Sequence, residues 1–285
     1  MNRPFLFLAG EYTVSLPIVF QRKLWQHTLS ACEFEFSDNS FHRKGICEDL
    51  IGLIFYADMD DKEKEQRNLE LIIQYEVPCY PDPHILLSMI DRHVVLQDCY
   101  KAGLVNHNVE ISLYEDFTSL NEIGTNPSRN WIKENKLVVK TGNIHRGENK
   151  FLYDSYEKVE PWIGLATIEP FFEGYSCRVL FIGDDFWLIR IDNEQSWIKN
   201  SPGASIVELQ QCDLPEYIVN HARSVKKYFN LDIAGVDYVV NGEKFYFLEV
   251  NQFPDLNVSD DEIVVAKKFF CGMMDDIESR VKERL

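Results

Sequence analysis

Apolar positions along the first third of the chain come in short blocks separated by amphipathic stretches. Phe5–Leu8 is a run of four apolar residues and reads as a short buried strand, and the spacing over Leu16–His27 reads as a helix. Cys32–Phe36 and Leu50–Tyr56 read as further strands. Asp60–Gln74 is a charged amphipathic helix with Leu69, Ile72 and Ile73 on its apolar side. Val77–Tyr80 then reads as a strand closed by Pro81 and Pro83. Strands alternating with helices predict a small open α/β sheet over residues 1–83.

Beyond Pro83 the pattern changes. A helix over 84–103 runs into Gly103, and a strand–helix–strand region follows to about Leu152. Two long strands, 176–182 and 186–192, flank Gly183-Asp184-Asp185, a hairpin signal. A helix over 214–229 precedes a second hairpin, "AGVDYVVNGEKFYFLEVNQFPDLN" (234–257), centred on Asn241-Gly242, and an amphipathic helix over 259–284 closes the chain. The expected class is mixed α/β (α+β), with a second domain over 84–285. No internal repeat or low-complexity tract interrupts it.

Composition narrows the function. The chain has 285 residues, 45% of them hydrophobic, enough for a sizeable core. A formal net charge of −17 argues against a non-specific grip on nucleic acid or an anionic membrane. The seven cysteines are odd in number, scattered, and lack C-x-x-C or Cys/His spacing, so neither a disulfide framework nor a structural zinc is expected. The N-terminal MNRPFLFLAG does not read as a signal peptide, and no window approaches a membrane span. The expected setting is a reducing cytoplasm.

The second hairpin carries the chemistry. Asp237, Glu249 and Asn251 stand where a buried strand would place Val or Ile. Glu249 and Asn251 are two residues apart and share a strand face, with Phe245 and Phe247 on that face by parity. A two-residue turn at Asn241-Gly242 would send Asp237 to the other side. An odd-length loop with Gly242 left-handed, or a bulge, would bring all three together, and that is the expectation. Three converging oxygen ligands suit a hard cation such as Mg²⁺, which takes one or two carboxylates and leaves its other positions to water and phosphates. A solvated strand face that tolerates acids is the plainer reading.

The hairpin resembles the metal-binding hairpin of the ATP-grasp superfamily, in the branch of RimK-like and glutathione synthetase-like carboxylate–amine ligases: a G-V-D strand, an L-E-V-N strand and a short Pro-containing loop. Partners occur upstream in order. Asp91-Arg92 opens a helix after "PDPHILLSMI" and resembles the D-K or D-R pair at the start of the nucleotide domain, with Arg92 toward phosphate. "LVVKTGNIHRGENKF" (137–151) resembles the strand that delivers a phosphate-contacting lysine, here Lys140, into a loop over 141–150. "TIEPFFEGYSCRVLFIGDDFWLIR" (167–190) resembles the adenine hinge, with Glu169 and backbone groups at the adenine edge and Phe171 or Phe172 against the ring. Ser176 stands where the family carries its ribose-binding acid, with Glu173 as a substitute. "SWIKNSPGAS" (196–205) resembles the following segment, with Trp197, Lys199, Asn200 and Gly203 in corresponding places. The resemblance covers roughly residues 84–257.

The resemblance implies a two-lobed ATP-grasp domain (lobes 84–165 and 166–285) behind the N-terminal domain. It implies ATP and Mg²⁺, or Mn²⁺, with Asp237, Glu249 and Asn251 as metal ligands. It places Arg178 and Arg190 near the transferred phosphate or the substrate carboxylate, and Asn200 as a further polar contact near metal or phosphate. A salt bridge from the arginines to the hairpin acids is the simpler alternative for Arg178 and Arg190. His145 is a loop histidine with phosphate contact or plain solvent exposure as its two readings, and the other six histidines suggest no pairing. The implied activity joins a carboxylate to an amine through an acylphosphate. The partner substrate is a small molecule or a peptide, and a homodimer is a family expectation. An ATP-grasp phosphotransferase or thiol ligase, and a nucleotide-binding regulatory module without turnover, are the alternatives.

Overall fold

The computed structural model describes residues 5–9, 29–30, 35–37, 40–43, 46–48, 52–56, 62–74, 76–118, 129–142, 149–193, 196–198, 205–209, 213–254, 256 and 260–284. The expected helix over Leu16–His27 and the loop carrying His145 lie outside them. The N-terminal region holds β1 (Phe5–Ala9), β2 (Leu29–Ser30), β3 (Glu35–Ser37), β4 (Ser40–Arg43), β5 (Ile46–Glu48), β6 (Gly52–Tyr56), α1 (Lys62–Gln74) and β7 (Cys79–Tyr80). Strands β2-β1-β6-β7 form a parallel sheet, and β3-β4-β5 a small antiparallel one. Gly52, Leu53 and Ile54 are all buried, as a parallel strand covered on both faces requires.

The expected single helix over 84–103 is two helices, α2 (Pro83–Ser88) and α3 (Arg92–Lys101). Asp82 caps α2 by accepting from His84 N–H, with Pro83 at the first position. Asp91 caps α3 by accepting from His93 and Val94 N–H, at 2.7 and 3.3 Å. An aspartate at this point competes for the backbone and starts a new helix instead of continuing the old one.

Then follow β8 (Glu110–Ser112), α4 (Tyr114–Thr118), α5 (Trp131–Glu134), β9 (Leu137–Thr141), β10 (Lys150–Tyr153) and β11 (Ala166–Pro170). Four of these make an antiparallel sheet in the order β10-β9-β11-β8. Its back, with Leu137, Val139 and Ile168, packs on Phe117, Trp131 and Ile132. The last segment contains β12 (Tyr175–Ile182), β13 (Asp185–Asp192), β14 (Ser205–Leu209), α6 (Glu216–Tyr228), β15 (Ile233–Asn241), β16 (Lys244–Asn251) and α7 (Asp260–Arg284). These strands form an antiparallel sheet in the order β14-β13-β12-β15-β16.

Period-two alternation sorts this sheet's side chains. Cys177, Val179, Ala234, Val236 and Tyr238 face α6 and its apolar stripe of Ile218, Ala222 and Val225. On the other face Leu180, Ile182, Ile189 and Ile233 pack beneath α7 in a core shared with Leu53, Ile54, Leu69 and Ile72 of the N-terminal region. Toward the other ends of these strands the same face carries Ser176, Arg178, Asp237 and Glu249 instead, and there it lines a cleft. No described helix is long and apolar enough to cross a membrane.

The β10-β9-β11-β8 and β14-β13-β12-β15-β16 sheets are joined by Phe171-Phe172-Glu173-Gly174 between β11 and β12. Gly174 has φ +151°, and a Cβ there would meet the Val240 carbonyl oxygen at 2.3 Å. Only glycine fits this crossing. Gly174→Ala should destabilise the protein by about 2–4 kcal/mol. Gly103→Ala, at φ +72° but with nothing within 4 Å of the added carbon, should cost about 1 kcal/mol. Urea unfolding of the two variants checks this contrast, and equal costs would contradict it.

Candidate functional site

The bulged hairpin sets the site. β15 and β16 turn through Gly242 and Glu243, with Asn241 paired to Lys244 and Gly242 at φ +60°. The turn thus lies one residue later than Asn241-Gly242, because Gly242 supplies the left-handed conformation at its first loop position. Val240–Phe245, Val239–Tyr246 and Tyr238–Phe247 then pair in register, but the next pair is Asp237–Glu249. Leu248 is the extra residue, so the expected bulge is present, within β16 instead of at the turn. Asp237 and Glu249 therefore stand directly opposite each other on the cleft face. The expectation for Phe245 and Phe247 is corrected: the extra residue reverses parity, and both pack with Tyr238 on the α6 side. Asn251 lies opposite Gly235 on the carboxylate face, and its Oδ1 accepts from Phe253 N–H at 2.8 Å.

Each hairpin acid meets an arginine. Arg178 lies across from Asp237 on β12 and binds it with two hydrogen bonds, Nε to Oδ1 at 2.7 Å and Nη2 to Oδ2 at 2.8 Å. Arg92, at the start of α3, reaches Glu249 Oε2 at 3.2 Å. The alternative reading of Arg178 as a salt-bridge partner of the hairpin is what the geometry shows.

The facing sheet contributes cations. Lys140 on β9 and Lys150 on β10 are cross-strand partners and both line the cleft, whose volume is about 500 Å³. Lys140 is ion-paired to Glu169 of β11, whose other oxygen lies 3.3 Å from His107 Nε2. Burial opposes charge on Glu169, yet Lys140 and His107 outweigh it and hold the carboxyl down at about 2. Burial lowers the Lys150 ammonium below the usual lysine range. Glu249 draws it back up, and Lys140 and Arg92 push it further down.

The linker supplies an aromatic wall. Phe172 stacks on Tyr246 with centroids 3.7 Å apart and sits edge-on to His107 at 4.9 Å, while Phe171 meets Trp197 edge-on at 6.2 Å. Phe171 N–H donates to the Lys136 carbonyl at 2.8 Å, tying the linker to the lysine-bearing sheet. Glu173 and Ser176 also line the cleft.

The structure thus brings together Arg92, Lys140, Glu169, Phe171, Phe172, Glu173, Arg178, Asp237 and Glu249. It does not bring Arg190 there. Arg190 pairs across strands with Cys177, so parity turns it to the opposite face, where it binds Asp192 at 2.7 Å and lies 4.4 Å over the Tyr175 ring. Lys199, Asn200 and Gly203 lie outside the described residues. Among the described residues no group of three or more His, Cys, Asp or Glu gathers as a metal cluster, so the hairpin's donor set is two carboxylates with the Asn251 amide. These are oxygen donors of the kind a hard cation takes.

Three histidines correct the expectation that none beyond His145 pairs. His107 meets Glu169, His93 Nδ1 lies 2.9 Å from Thr167 Oγ1, and His221 bridges Tyr238 and the Leu104 carbonyl. Lys150 is a cleft residue that the motifs do not single out, since it closes the 141–150 loop; its cross-strand pairing with Lys140 puts both on one face.

Glu169 is ordinarily expected to titrate at 4.5 and is held at about 2, so its stabilising contribution is present above pH 4.5 and lost as pH falls through about 2. Urea midpoints measured across that window should fall less steeply for Glu169→Gln than for the unaltered protein. Identical slopes would contradict the buried ion pair.

No family model and no curated protein sequence matches the chain. Solved structures do. D-alanyl-alanine synthetase A from Vibrio cholerae superposes with a TM-score of 0.70 at 11% identity, covering 98% of this chain and 99% of that one. A RiPP-associated ATP-grasp ligase from Chryseobacterium gregarium, in complex with ADP and a leader and core peptide, gives 0.63 at 12% identity over 96% and 97%. The ATP-grasp ligase PsnB, complexed with a phosphomimetic variant of minimal precursor, Mg and ADP, gives 0.63 at 10% identity over 96% and 99%. The chain has the fold of these ATP-grasp ligases along nearly its whole length.

Proposed function

We propose that this chain is an ATP-dependent ligase that activates a carboxylate as an acylphosphate and joins it to an amine, releasing ADP and phosphate. The observation that carries the reading is the pair Asp237 and Glu249, set opposite each other by the Leu248 bulge and facing Lys140 and Lys150 across one cleft. Carboxylates on one wall and cations on the other suit a polyphosphate held with a divalent cation. Asp237, Glu249 and Asn251 would hold Mg²⁺ or Mn²⁺, which when bound supplies charge neutralisation at the phosphates.

In the proposed reaction a substrate carboxylate oxygen attacks the γ-phosphorus and the bond from that phosphorus to the β–γ bridging oxygen breaks, leaving ADP. The amine then attacks the acyl carbon, the carbon–oxygen bond to phosphate breaks, and the nitrogen gives up its proton to water. Lys140, Lys150, Arg92 and Arg178 lower the charge cost of the first step. Phe171, Phe172 and Tyr246 form the apolar wall for the base, with linker backbone groups at its edge. Both carboxylate oxygens of Glu169 lie toward Lys140 and His107, so its role in the proposal is to position Lys140. The peptide complexes among the structural neighbours support a peptide or amino acid as the acceptor class. Placement within the RimK-like and glutathione synthetase-like branch, and a cytoplasmic setting, rest on the motif order and composition.

Mg²⁺-dependent ATP turnover by the purified protein, stimulated by a fractionated metabolite and peptide extract and yielding ADP and phosphate with an amide product, is the expected outcome. Stable phosphorylated or thioester products would instead support the phosphotransferase or thiol-ligase reading. Binding without turnover in any fraction would support a regulatory module. Glu249→Ala should lower turnover by about 100-fold or more with the fold retained by circular dichroism. Turnover at the unaltered level would contradict the site.

The lowered Lys150 pKa gives a pH signature. Polyphosphate binding would raise it again, so nucleotide affinity should fall as pH rises through the free-protein value, with proton uptake on binding. Calorimetry in buffers of different ionisation enthalpy should show that uptake, and Lys150→Met should abolish it. Uptake unchanged in the variant would contradict the assignment.

A further inference from the structure

Both hairpin acids that would hold a cation are already answered by guanidinium groups. We propose that Arg178 and Arg92 are built-in counter-ions that prevent Asp237 and Glu249 from taking a divalent cation on its own. Cation and nucleotide polyphosphate then enter together, each arginine passing from its carboxylate to a phosphate oxygen. The inference rests on the nucleotide reading of the cleft and adds an order of binding to it.

The Arg178–Asp237 pair is a constructed feature of the sheet. The two residues are in direct cross-strand register, and both carboxylate oxygens are used, at 2.7 and 2.8 Å. Such a planar two-bond pairing is among the stronger polar contacts a protein makes. Asp237 is 6% exposed, so a cation arriving alone would have to break both hydrogen bonds of this guanidinium to reach the carboxylate.

The neighbouring glycine fits this role. Gly235 lies on the same face, and a Cβ there would come within 3.3 Å of Arg178 Cδ and Nε and 2.9 Å of Pro254 Cβ. The absence of a side chain at Gly235 lets the arginine stem lie flat across the strand toward Asp237. This gives the Gly in the G-V-D run a physical function: it seats the counter-ion.

Charge accounting favours joint entry. A divalent cation alone would confront Arg178, Arg92, Lys140 and Lys150 in one cleft, and a polyphosphate alone would confront Asp237 and Glu249. Entering together, each takes the partner the other releases. Linkage requires the coupling to be mutual: the factor by which nucleotide tightens the cation is the factor by which the cation tightens nucleotide.

Calorimetric titration of the full chain with Mn²⁺ alone, ADP alone and Mn²⁺ with ADP tests this. For the unaltered protein, ADP should tighten Mn²⁺ binding by about 100-fold. Arg178→Gln should tighten binding of Mn²⁺ alone by about tenfold while weakening Mn²⁺ with ADP, and Arg178→Lys should fall between. A purely structural arginine would give loss in both arms, never the gain. Arg92→Gln makes the same test at Glu249 should the Arg178 variant not fold. Unchanged or weakened Mn²⁺ binding in these variants overturns the proposal while leaving the nucleotide reading intact. No ADP binding in any arm overturns that reading and the proposal with it.

Discussion

The direct opposition of Asp237 and Glu249 across β15 and β16 is the constraint on which the site depends. A regular hairpin with the same turn would place Glu249 on the helix-covered side and bury an unanswered carboxylate among Tyr238, Val236 and Phe247. One extra residue, Leu248, resolves the conflict. It keeps the aromatic residues near the turn under α6 and puts the acids farther along on the open face. The fold's layering follows the same logic. One end of that face is covered by α7, and the other is left as the wall of the cleft.

Charge pairing then connects the elements around the cleft. Arg92 links α3 to β16, Arg178 links β12 to β15, and Lys140, Glu169 and His107 link β9, β11 and the segment after α3. His93 against Thr167 adds a neutral tie between α3 and the lysine-bearing sheet. Buried charges of this kind contribute little net stability against apolar replacements but penalise any arrangement that separates them. Their value here is geometric: they hold two sheets face to face with opposite charges presented across about 500 Å³.

Much of this was legible along the chain. The strands at 5–8, 50–56 and 176–192, the helices at 60–74 and 214–229, and the closing helix all follow from apolar spacing and turn residues, because local period and burial coincide there. The hairpin acids stood out because carboxylates in an apolar strand are costly. Their shared face required a bulge, but the position of that bulge depends on packing beneath α6, which spacing alone does not encode. Apolar spacing over 84–103 runs on as one helix, because an aspartate inside a helical pattern reads equally as a surface residue or as a cap, whereas the Asp91-Arg92 motif marks the helix start that the structure places there. Arg190 differs from expectation by the length of one turn: strands 176–182 and 186–192 would set it opposite Arg178, whereas Ile182 pairs with Asp185 and sets it opposite Cys177 on the other face. His107 and Glu169 are 62 residues apart, and no local pattern announces their contact.

The proposed function requires the two sheets to clasp a metal-bound nucleotide between them. A crystal structure of the protein with Mg²⁺ and ADP measures it most directly. Mg²⁺ should be bound by Asp237 and Glu249 oxygens at about 2.1 Å, with phosphates against Lys140 and Lys150 and the base beside Phe171 or Phe172. Nucleotide bound elsewhere, or in this cleft with Asp237 and Glu249 still turned to their arginines and away from the metal, would contradict it.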